Sequence, residues 1–567
     1  MLKNLLLLLA AVTILSCANQ TQPTGGPKDE DPPELLSSDP IQGSINVVTD
    51  KIELTFNEDI KTENAIEQLI ITPRIDTEFE IKYRKSKATI TFEENLPDST
   101  TFTFNFREAV VDITEGNAPK NLKLAFSTGN YLDSLSISGN VKYHLTDRPG
   151  ENITVALYQT SDTLDLFTGP PLYFTKTDNN GDYLFENLKG GNYKIYAFDD
   201  LNKNLTAQSN SESFGFLSGI IPLDSNIVEL NLPLISVDAR PLELQSARQS
   251  GTTFNVKYNK SLSNYNISAD SHETIVHSFA DNTQDNIRIY NTFHIEDSLQ
   301  LFLSSQDSLN QFSKDTIYLK FEPTQRKPIT ASQTFDLQPI VIEQRLVTGQ
   351  VGFNKPITKT NFDSTYIYID STHVYFLDST NFKWGHSTNL LEFSYLLDQS
   401  LFEEKEESSN ESQPNSPQDS LANDSTQQAK PELKPHIRFS EAAFISAESD
   451  SSTNIKTNLT FTTRDKFGLI ALEIQTDYTN YIIQLLDAQN EVVAERINTQ
   501  KFDFSYLKPG TYRIRILIDT NENGVWDPGN IFLDIEPEPS LFYDSSTGEQ
   551  EVIIRANFEI VPDPIQF

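Results

Sequence analysis

The sequence predicts an all-β protein made of tandem antiparallel β-sandwich domains. Apolar residues alternate with polar ones over short runs, as at Ile52, Leu54 and Phe56. The same period of two recurs at Ala88, Ile90 and Phe92, and at Phe102, Phe104 and Phe106. Such runs, broken by turn residues such as Leu96-Pro97-Asp98, are typical of half-buried antiparallel strands. No long stretch keeps helical spacing, which favours sandwiches over helical folds.

Length and composition narrow the possible functions. A chain of 567 residues is long enough for about three to five domains. A hydrophobic content of 37% with 36 phenylalanines allows real cores. The formal net charge of −36 argues against nucleic-acid binding and against electrostatic docking to an anionic membrane. The acidity is explained by a solvated, non-aggregating surface, or alternatively by calcium recruitment.

The amino end has the features of an export signal. Lys3 precedes an apolar run from Leu5 to Leu15, and Cys17 follows Ser16. Residues 1–16 therefore resemble a secretory signal peptide, too short to span a membrane. The tetrapeptide at 14–17 resembles a lipobox, which implies that Cys17 is lipidated and anchors the mature chain; the alternative is an ordinary signal peptide ending near Ala18. Cys17 is the only cysteine, so no disulfide can form within the chain.

A flexible tether over 17–31, rich in Pro and Gly, leads into the first predicted domain, 32–130. Three motifs in this domain point to a known family: Pro32-Pro33-Glu34-Leu35, Asp39-Pro40 and the run Ile-Glu-Leu-Thr-Phe-Asn-Glu-Asp-Ile at 52–60. They resemble the bacterial Ig-like domain named after the S-layer protein SbsA. The tether motif Pro23-Thr24-Gly25-Gly26-Pro27 is similar to the amino-terminal signature of Ig-like lipoproteins of the Bacteroidota.

The second predicted domain, 131–235, contains a hairpin turn signal at Asp178-Asn179-Asn180-Gly181-Asp182. The pattern that follows, from Phe185 to Ala197, resembles the prealbumin-like modules found beside carboxypeptidases as regulatory-like domains. The resemblance implies a β-sandwich without catalytic residues.

An internal repeat supports a modular chain. The residues Phe185, Leu188, Gly191, Tyr193, Asp200, Asn202 and Asn204 recur 319 positions later as Phe504, Leu507, Gly510, Tyr512, Asp519, Asn521 and Asn523. The repeat predicts a second prealbumin-like sandwich over 453–567. Residues 236–340 and 341–452 are predicted as further β domains. The segment 403–434, rich in Glu, Ser, Asn and Gln, is predicted to be a disordered insertion.

The second repeat contains the best candidate for a metal site. Asp519, Asn521, Asn523 and Asp527 place oxygen side chains around Gly524, an arrangement that can wrap a calcium ion. An EF-hand loop would end in a bidentate Glu where this chain has Asn530. The alternative interpretation is an Asx-rich turn whose side chains bind their own backbone.

No catalytic constellation stands out, so the chain is expected not to be an enzyme. His272 and His277 are five apart instead of four, which places them on different faces of a helix or strand. Neither a Gly-x-Ser-x-Gly elbow nor a phosphate-binding glycine loop occurs.

The predicted function is a non-enzymatic cell-envelope lipoprotein that presents a protein-interaction surface. It would be held at the outer membrane through Cys17, with the cell surface favoured over the periplasmic face. The expected partner is an outer-membrane or cell-surface protein, in a complex of which this chain would be an accessory subunit. The alternative is a glycan-binding or glycan-processing lipoprotein, for which Trp384, Trp526 and many tyrosines could supply aromatic contacts.

Overall fold

The structure, a computed structural model, describes residues 31–62, 64–114, 116–208, 210–269, 274–292, 298–385, 389–402 and 434–567. Four predicted features lie outside the described residues: the signal peptide, Cys17, the tether before Asp31, and residues 403–433 of the insertion predicted at 403–434. Within them the chain is nearly all β, with a short helix at Ala65–Gln68, which confirms the predicted fold class. Among the described helices, none has the length and hydropathy needed to cross a membrane.

The chain divides into two compact units. One extends to Val141 and also contains Gly150–Ala207 and Gly219–Leu232. The other contains Lys142–Pro149, Gln208–Ser218 and Pro233–Phe567. The boundaries of the five predicted domains remain predictions.

The amino-terminal strands of the first unit enclose one core. They are β1 (Leu35–Asp39), β2 (Lys51–Phe56), β3 (Ile60–Lys61), β4 (Ile70–Thr72), β5 (Phe79–Arg84), β6 (Lys87–Phe92), β7 (Thr101–Asn105), β8 (Val111–Asp112) and β9 (Lys123–Ser127). They form sheets in the orders β1-β2-β6-β5 and β4-β7-β9, and the pair β3-β8. Ile52, Leu54 and Phe56 point into the core, because alternate residues of a strand face the same side.

The next strands include the first copy of the repeat. They are β10 (Leu135–Tyr143), β11 (Thr154–Gln159), β12 (Tyr173–Lys176), β13 (Asp182–Leu188), β14 (Gly191–Phe198), β15 (Phe214–Phe216), β16 (Ile221–Leu223) and β17 (Leu232–Leu234). In the first unit, β10 pairs with β13, β11 with both β12 and β14, and β14 with β16, all antiparallel. In the second unit, Phe214 pairs with Ile235 through an isolated bridge.

A core around Val256 and Ile287 follows in the second unit. Its strands are β18 (Leu244–Ser250), β19 (Thr253–Tyr258), β20 (Asn264–Ala269), β21 (His277–Phe279), β22 (Asn286–Tyr290), β23 (Leu299–Gln306) and β24 (Phe312–Leu319). They form sheets in the orders β18-β19-β22-β21 and β20-β23-β24.

Another core, rich in phenylalanine, contains Phe393, Phe439 and Phe444. Its strands are β25 (Gln333–Leu337), β26 (Ile340–Val341), β27 (Leu346–Phe353), β28 (Ile357–Thr360), β29 (Tyr366–Tyr368), β30 (Val374–Phe376), β31 (Phe382–Trp384), β32 (Leu390–Leu396), β33 (His436–Phe439), β34 (Phe444–Ser446), β35 (Ile455–Asn458) and β36 (Phe461–Thr462). The larger sheets run β25-β27-β32-β31 and β30-β29-β33-β35. Short 3-10 helices lie at Ser379–Asn381, Gln399–Leu401 and Arg464–Lys466.

The carboxy-terminal strands contain the second copy of the repeat. They are β37 (Gly468–Gln475), β38 (Tyr481–Leu486), β39 (Val492–Ile497), β40 (Lys501–Leu507), β41 (Gly510–Ile518), β42 (Ser540–Phe542), β43 (Glu551–Ile554), β44 (Glu559–Ile560) and β45 (Ile565–Gln566). A 3-10 helix at Ile531–Leu533 lies between β41 and β42.

The two copies of the repeat have the same local topology, as the sequence predicts. The pairs β37-β40, β38-β39, β38-β41 and β41-β43 correspond to β10-β13, β11-β12, β11-β14 and β14-β16. Leu188 and Leu507 are both buried. Tyr193 and Tyr512 each lie on the strand that leads into an Asp- and Asn-rich loop, at 200–204 and 519–523. Each donates a 2.7 Å hydrogen bond to the carbonyl oxygen four residues earlier. The paired positions therefore lie on equivalent strands, while the predicted prealbumin-like sandwiches over 131–235 and 453–567 stay predictions.

Candidate functional site

The acidic loop, residues 519–527, follows β41 and is held by its own side chains. The two carboxylate oxygens of Asp519 accept hydrogen bonds from the backbone N–H groups of Asn523 and Gly524, at 3.1 and 2.8 Å. Asn521 Oδ1 accepts from the N–H of Asn523 at 3.1 Å, and Asn523 Oδ1 from that of Val525 at 2.9 Å. These contacts are Asx turns, which bend a chain by replacing backbone acceptors with side-chain oxygens.

All four predicted calcium ligands belong to this one network. Asp527 Oδ2 accepts the side-chain amide N–H groups of Asn521 and Asn523, both at 2.6 Å. The two amide N–H groups occupy both lone pairs of Asp527 Oδ2, so a cation bound here would use Asp527 Oδ1 or displace one of the amides. Within the part of the chain that the structure describes, no group of three or more His, Cys, Asp or Glu residues could hold a metal. Calcium binding, which would also need the two asparagines, remains a prediction.

The first copy adopts the same turn without the full ligand set. Asp200 accepts from the N–H groups of Asn204 and Leu205, at 2.9 and 3.2 Å. The position equivalent to Asp527 is Gln208, and the ammonium of Lys203 binds Glu67. The turn therefore forms where a cation is disfavoured, and the Asx turns alone account for its shape.

Glu538 holds the acidic loop from outside, and sequence reasoning missed it. Its buried carboxylate accepts from Thr520 N–H (2.7 Å), Thr520 Oγ1 (2.8 Å) and Asn521 N–H (3.1 Å) through Oε1. Its Oε2 accepts from Asp527 N–H at 2.9 Å. Glu538 lies eleven residues beyond Asp527, outside any loop motif. Its position between Pro537 and Pro539 is the one local sign of a constrained backbone, because proline fixes φ.

The backbone carbonyl of Glu538 joins the acidic loop to the segment Lys142–Pro149. Trp526 Nε1 donates to this oxygen at 2.8 Å, and His144 Nε2 lies 2.7 Å from it. Burial lowers the pKa of His144 below its usual range, so the neutral imidazole with a proton on Nε2 suits the site. Arg515 Nη1 donates to the carbonyl of Leu145 at 2.6 Å, and Arg513 Nη1 to that of Thr146 at 2.8 Å.

Four exposed apolar side chains lie in the acidic loop and in the segment that follows it: Val525, Phe532, Leu533 and Ile535. We call them the apolar patch. Their exposed fractions are 57%, 57%, 66% and 53%. Asn530, at the position where an EF-hand has its Glu, caps the 3-10 helix that carries part of the patch: its Oδ1 accepts from the N–H groups of Phe532 and Leu533, at 3.0 and 3.3 Å. The patch is therefore built on a hydrogen-bonded frame, and clustered exposed apolar side chains commonly mark interaction sites.

The tryptophans and histidines singled out in the sequence lie in packed or hydrogen-bonded positions where the structure describes them. Trp384 is half-buried against Phe353 and Trp526 against His144, so neither indole forms an open platform. His277 Nδ1 lies 2.9 Å from the hydroxyl of Tyr265. His272 lies outside the described residues.

These features define a nearly all-β chain of two compact units, and one comparison with known proteins identifies a domain at the amino end. Residues 29–128 match the family model described as a bacterial Ig-like domain, which confirms the Ig-like prediction for that part of the chain. A search of curated proteins finds no match.

The solved structures similar to this chain include two pilins and a glycan-binding protein. A variant of BcpA, the major pilin subunit of Bacillus cereus, is 10% identical, with 76% of this chain and 100% of that chain covered and a TM-score of 0.13. A streptococcal ancillary pilin is 12% identical, with 43% and 77% covered and a TM-score of 0.15. SGBP-B from the mixed-linkage glucan utilization locus of Bacteroides ovatus, in complex with a mixed-linkage heptasaccharide, is 10% identical, with 74% and 91% covered and a TM-score of 0.12.

Proposed function

We propose that the chain is a non-enzymatic cell-envelope lipoprotein, a β-sandwich scaffold that presents a protein-interaction surface. The observation that supports this proposal is the apolar patch, part of which lies on the 3-10 helix that Asn530 caps. A surface that is ordered before binding loses less conformational entropy when a partner docks. The acidic side chains beside it accept backbone N–H bonds, which favours a structural role for them over acid–base chemistry.

The proposal places the chain at the outer membrane through a lipid on Cys17, with an outer-membrane or cell-surface protein as partner. An accessory subunit needs a fixed surface and an anchor, but no catalytic centre. In this proposal the patch makes the protein contact and the lipid makes the membrane contact. The two attachments can therefore be removed separately.

Affinity purification from gently solubilised membranes tests the protein contact. A double variant with Phe532→Asn and Leu533→Asn should lose a stoichiometric partner that the unchanged chain retains. Phe558→Asn, which alters a phenylalanine 58% exposed outside the patch, is the matched control and should retain it. Equal recovery of the partner with the double variant would contradict the proposal.

Membrane fractionation tests the anchor. Cys17→Ser should release the chain from membranes, since the acidic surface gives no electrostatic attraction to anionic lipids. A variant that still fractionates entirely with the outer membrane would show that protein contacts suffice for attachment.

A further inference from the structure

One face of the sheet β18-β19-β22-β21 is polar although much of it is buried. On β22, Ile287 and Ile289 point into the core, so Asn286, Arg288 and Tyr290 point to the opposite face. The register places Ser278 of β21 and Asn255 of β19 on either side of Arg288. Thr253 lies beside Tyr290 in the same register. We call these six residues the polar face: Thr253, Asn255, Ser278, Asn286, Arg288 and Tyr290.

Four side chains of the polar face carry buried atoms without a protein partner. Tyr290 is 0% exposed and Ser278 is 6% exposed. Their hydroxyls, like the Oδ1 atoms of Asn255 and Asn286, have no hydrogen-bond partner among the described residues. A buried polar atom without a partner costs about 1–3 kcal/mol, and native proteins contain only a few per hundred residues. Four on one sheet face therefore point to a bound polar ligand.

Two cavities adjoin the polar face. The larger, about 920 Å³, has Ser278 in its wall together with hydroxyl and amide side chains such as Ser332, Thr334, Asn354 and Asn389. Its aromatic wall consists of Tyr265, Phe279 and Phe353. The smaller, about 220 Å³, is lined by Tyr290 and Arg288. Since Ser278 and Arg288 are cross-strand neighbours, the two cavities flank one row of the sheet.

The smaller cavity is cationic in a strongly acidic chain. It is lined by Arg288, Arg326, Lys327 and Lys355, opposed by Glu448. Lys355 is buried and paired with both Glu448 and Asp450. Arg288, Arg326 and Lys327 form no ion pair within the described part of the chain, although Arg288 interacts electrostatically with Asp281. A cluster of cations that have no ion pair among the described residues, in a chain of net charge −36, favours an anionic group at this position.

We propose that the polar face and its two cavities bind an acidic sugar, a carbohydrate that carries a carboxylate or a sulfate. The hydroxyl and amide side chains of the larger cavity would pair with sugar hydroxyls, and its rings would pack on the sugar's apolar faces. The cations of the smaller cavity would hold the acid group, which Arg can bind through two parallel hydrogen bonds. The volume of the larger cavity lies within the range of small-ligand sites, about 300–1,000 Å³. This site is independent of the apolar patch and of the proposed protein partner.

Calorimetric titration of the purified full chain tests the proposal with three probes: a galacturonic acid trimer, the neutral trimer maltotriose, and sodium sulfate. The acidic trimer should bind at least tenfold more tightly than either of the others, and more weakly as salt rises. Arg326→Gln, an exposed position that does not endanger folding, should weaken binding about tenfold. Lys314→Gln, which removes an exposed cation from the other sheet, should leave binding unchanged.

Tyr290→Phe separates a ligand site from a structural polar cluster. Because the hydroxyl has no hydrogen-bond partner among the described residues, its removal should raise the melting temperature of the free chain while lowering its affinity for the acidic trimer. Several results would overturn the proposal: no binding of the acidic trimer at millimolar concentration, equal binding of maltotriose, equal binding of sulfate, or binding unaffected by Arg326→Gln.

Discussion

Replacing Glu538 by alanine removes the one carboxylate that holds both ends of the acidic loop. Four hydrogen bonds are lost, three to Thr520 and Asn521 and one to Asp527. Hydrogen bonds to a charged group contribute about 1.5–3 kcal/mol each when buried. Thr520 and Asn521 are exposed, so water replaces the acceptor there. We therefore expect local destabilisation of about 2–4 kcal/mol rather than the full sum.

Glutamine at this position should have a smaller effect. Glu538→Gln keeps an oxygen that can accept from Thr520 and Asn521, but it turns an amide N–H₂ toward the N–H of Asp527. We expect a loss of about 1–2 kcal/mol. Glu549→Ala, at an exposed glutamate, should change stability by less than about 0.5 kcal/mol. The predicted order of destabilisation is alanine, then glutamine, then the control.

Hydrogen exchange of the full chain measures the local stability of the acidic loop, because the loop can open without global unfolding. A destabilisation of about 2–4 kcal/mol corresponds to exchange roughly 30-fold to 1,000-fold faster in peptides covering 519–538. In a Trp384→Phe background, fluorescence of Trp526 reports the same opening, since its indole donates to the Glu538 carbonyl. Loop exchange in Glu538→Ala equal to that in Glu549→Ala would refute the assignment of this carboxylate as the loop's anchor.

Four further predictions concern pH, calcium, backbone geometry and the repeat. Because the pKa of His144 is lowered in the folded chain, the unfolded chain binds more protons below about pH 6.5 and stability should fall there; thermal melts at about pH 7.5 and 5.5 should differ, and His144→Gln should reduce the difference. Calcium at about ten times its dissociation constant should stabilise the loop by about 1.4 kcal/mol, with an expected constant of roughly 10⁻⁴ to 10⁻³ M; a melting temperature unchanged by calcium or chelator, and a rise that survives Asp519→Ala, would each contradict the site. Gly529→Ala should destabilise by about 1–3 kcal/mol, because φ is 73° and an added Cβ would lie 2.5 Å from the carbonyl carbon of Glu536; denaturant unfolding measures it, and no loss would contradict the geometry. Leu188→Ala and Leu507→Ala should each cost about 2–5 kcal/mol, and a large loss at only one of them in the same assay would mean that the two copies are not equivalent.

The local parts of this structure follow from the sequence. Alternation alone places Ile52, Leu54 and Phe56 in a core, because the side-chain period of a strand is two. The spacing of Asp519, Asn521 and Asn523 predicts a turn held by its own side chains, since each oxygen reaches an N–H two to five residues further along. The repeat then predicts the same turn in the first copy.

The long-range parts could not be predicted. Glu538 and His144 meet across 394 residues of sequence, and no local pattern encodes that contact. The sequence analysis likewise indicates neither the polar face around Arg288 nor the cavities beside it, because both depend on how separate strands pack. The tolerance of Leu205 for a φ of 59°, where the second copy has Gly524 at 89°, emerges only from the structure, because the left-handed region normally disfavours a branched side chain.

The contacts that hold the segment Lys142–Pro149 can form only late in synthesis. Its backbone carbonyls are bound by Arg513 and Arg515, the latter contact spanning 370 residues. A chain synthesised from its amino end must reach almost its entire length before these arginines exist. Until then the carbonyl groups of Leu145 and Thr146 lack these two donors, as expected for contacts of very large sequence separation. A chain released early, before Gly510, would keep this segment in that unfinished state however well its other strands fold.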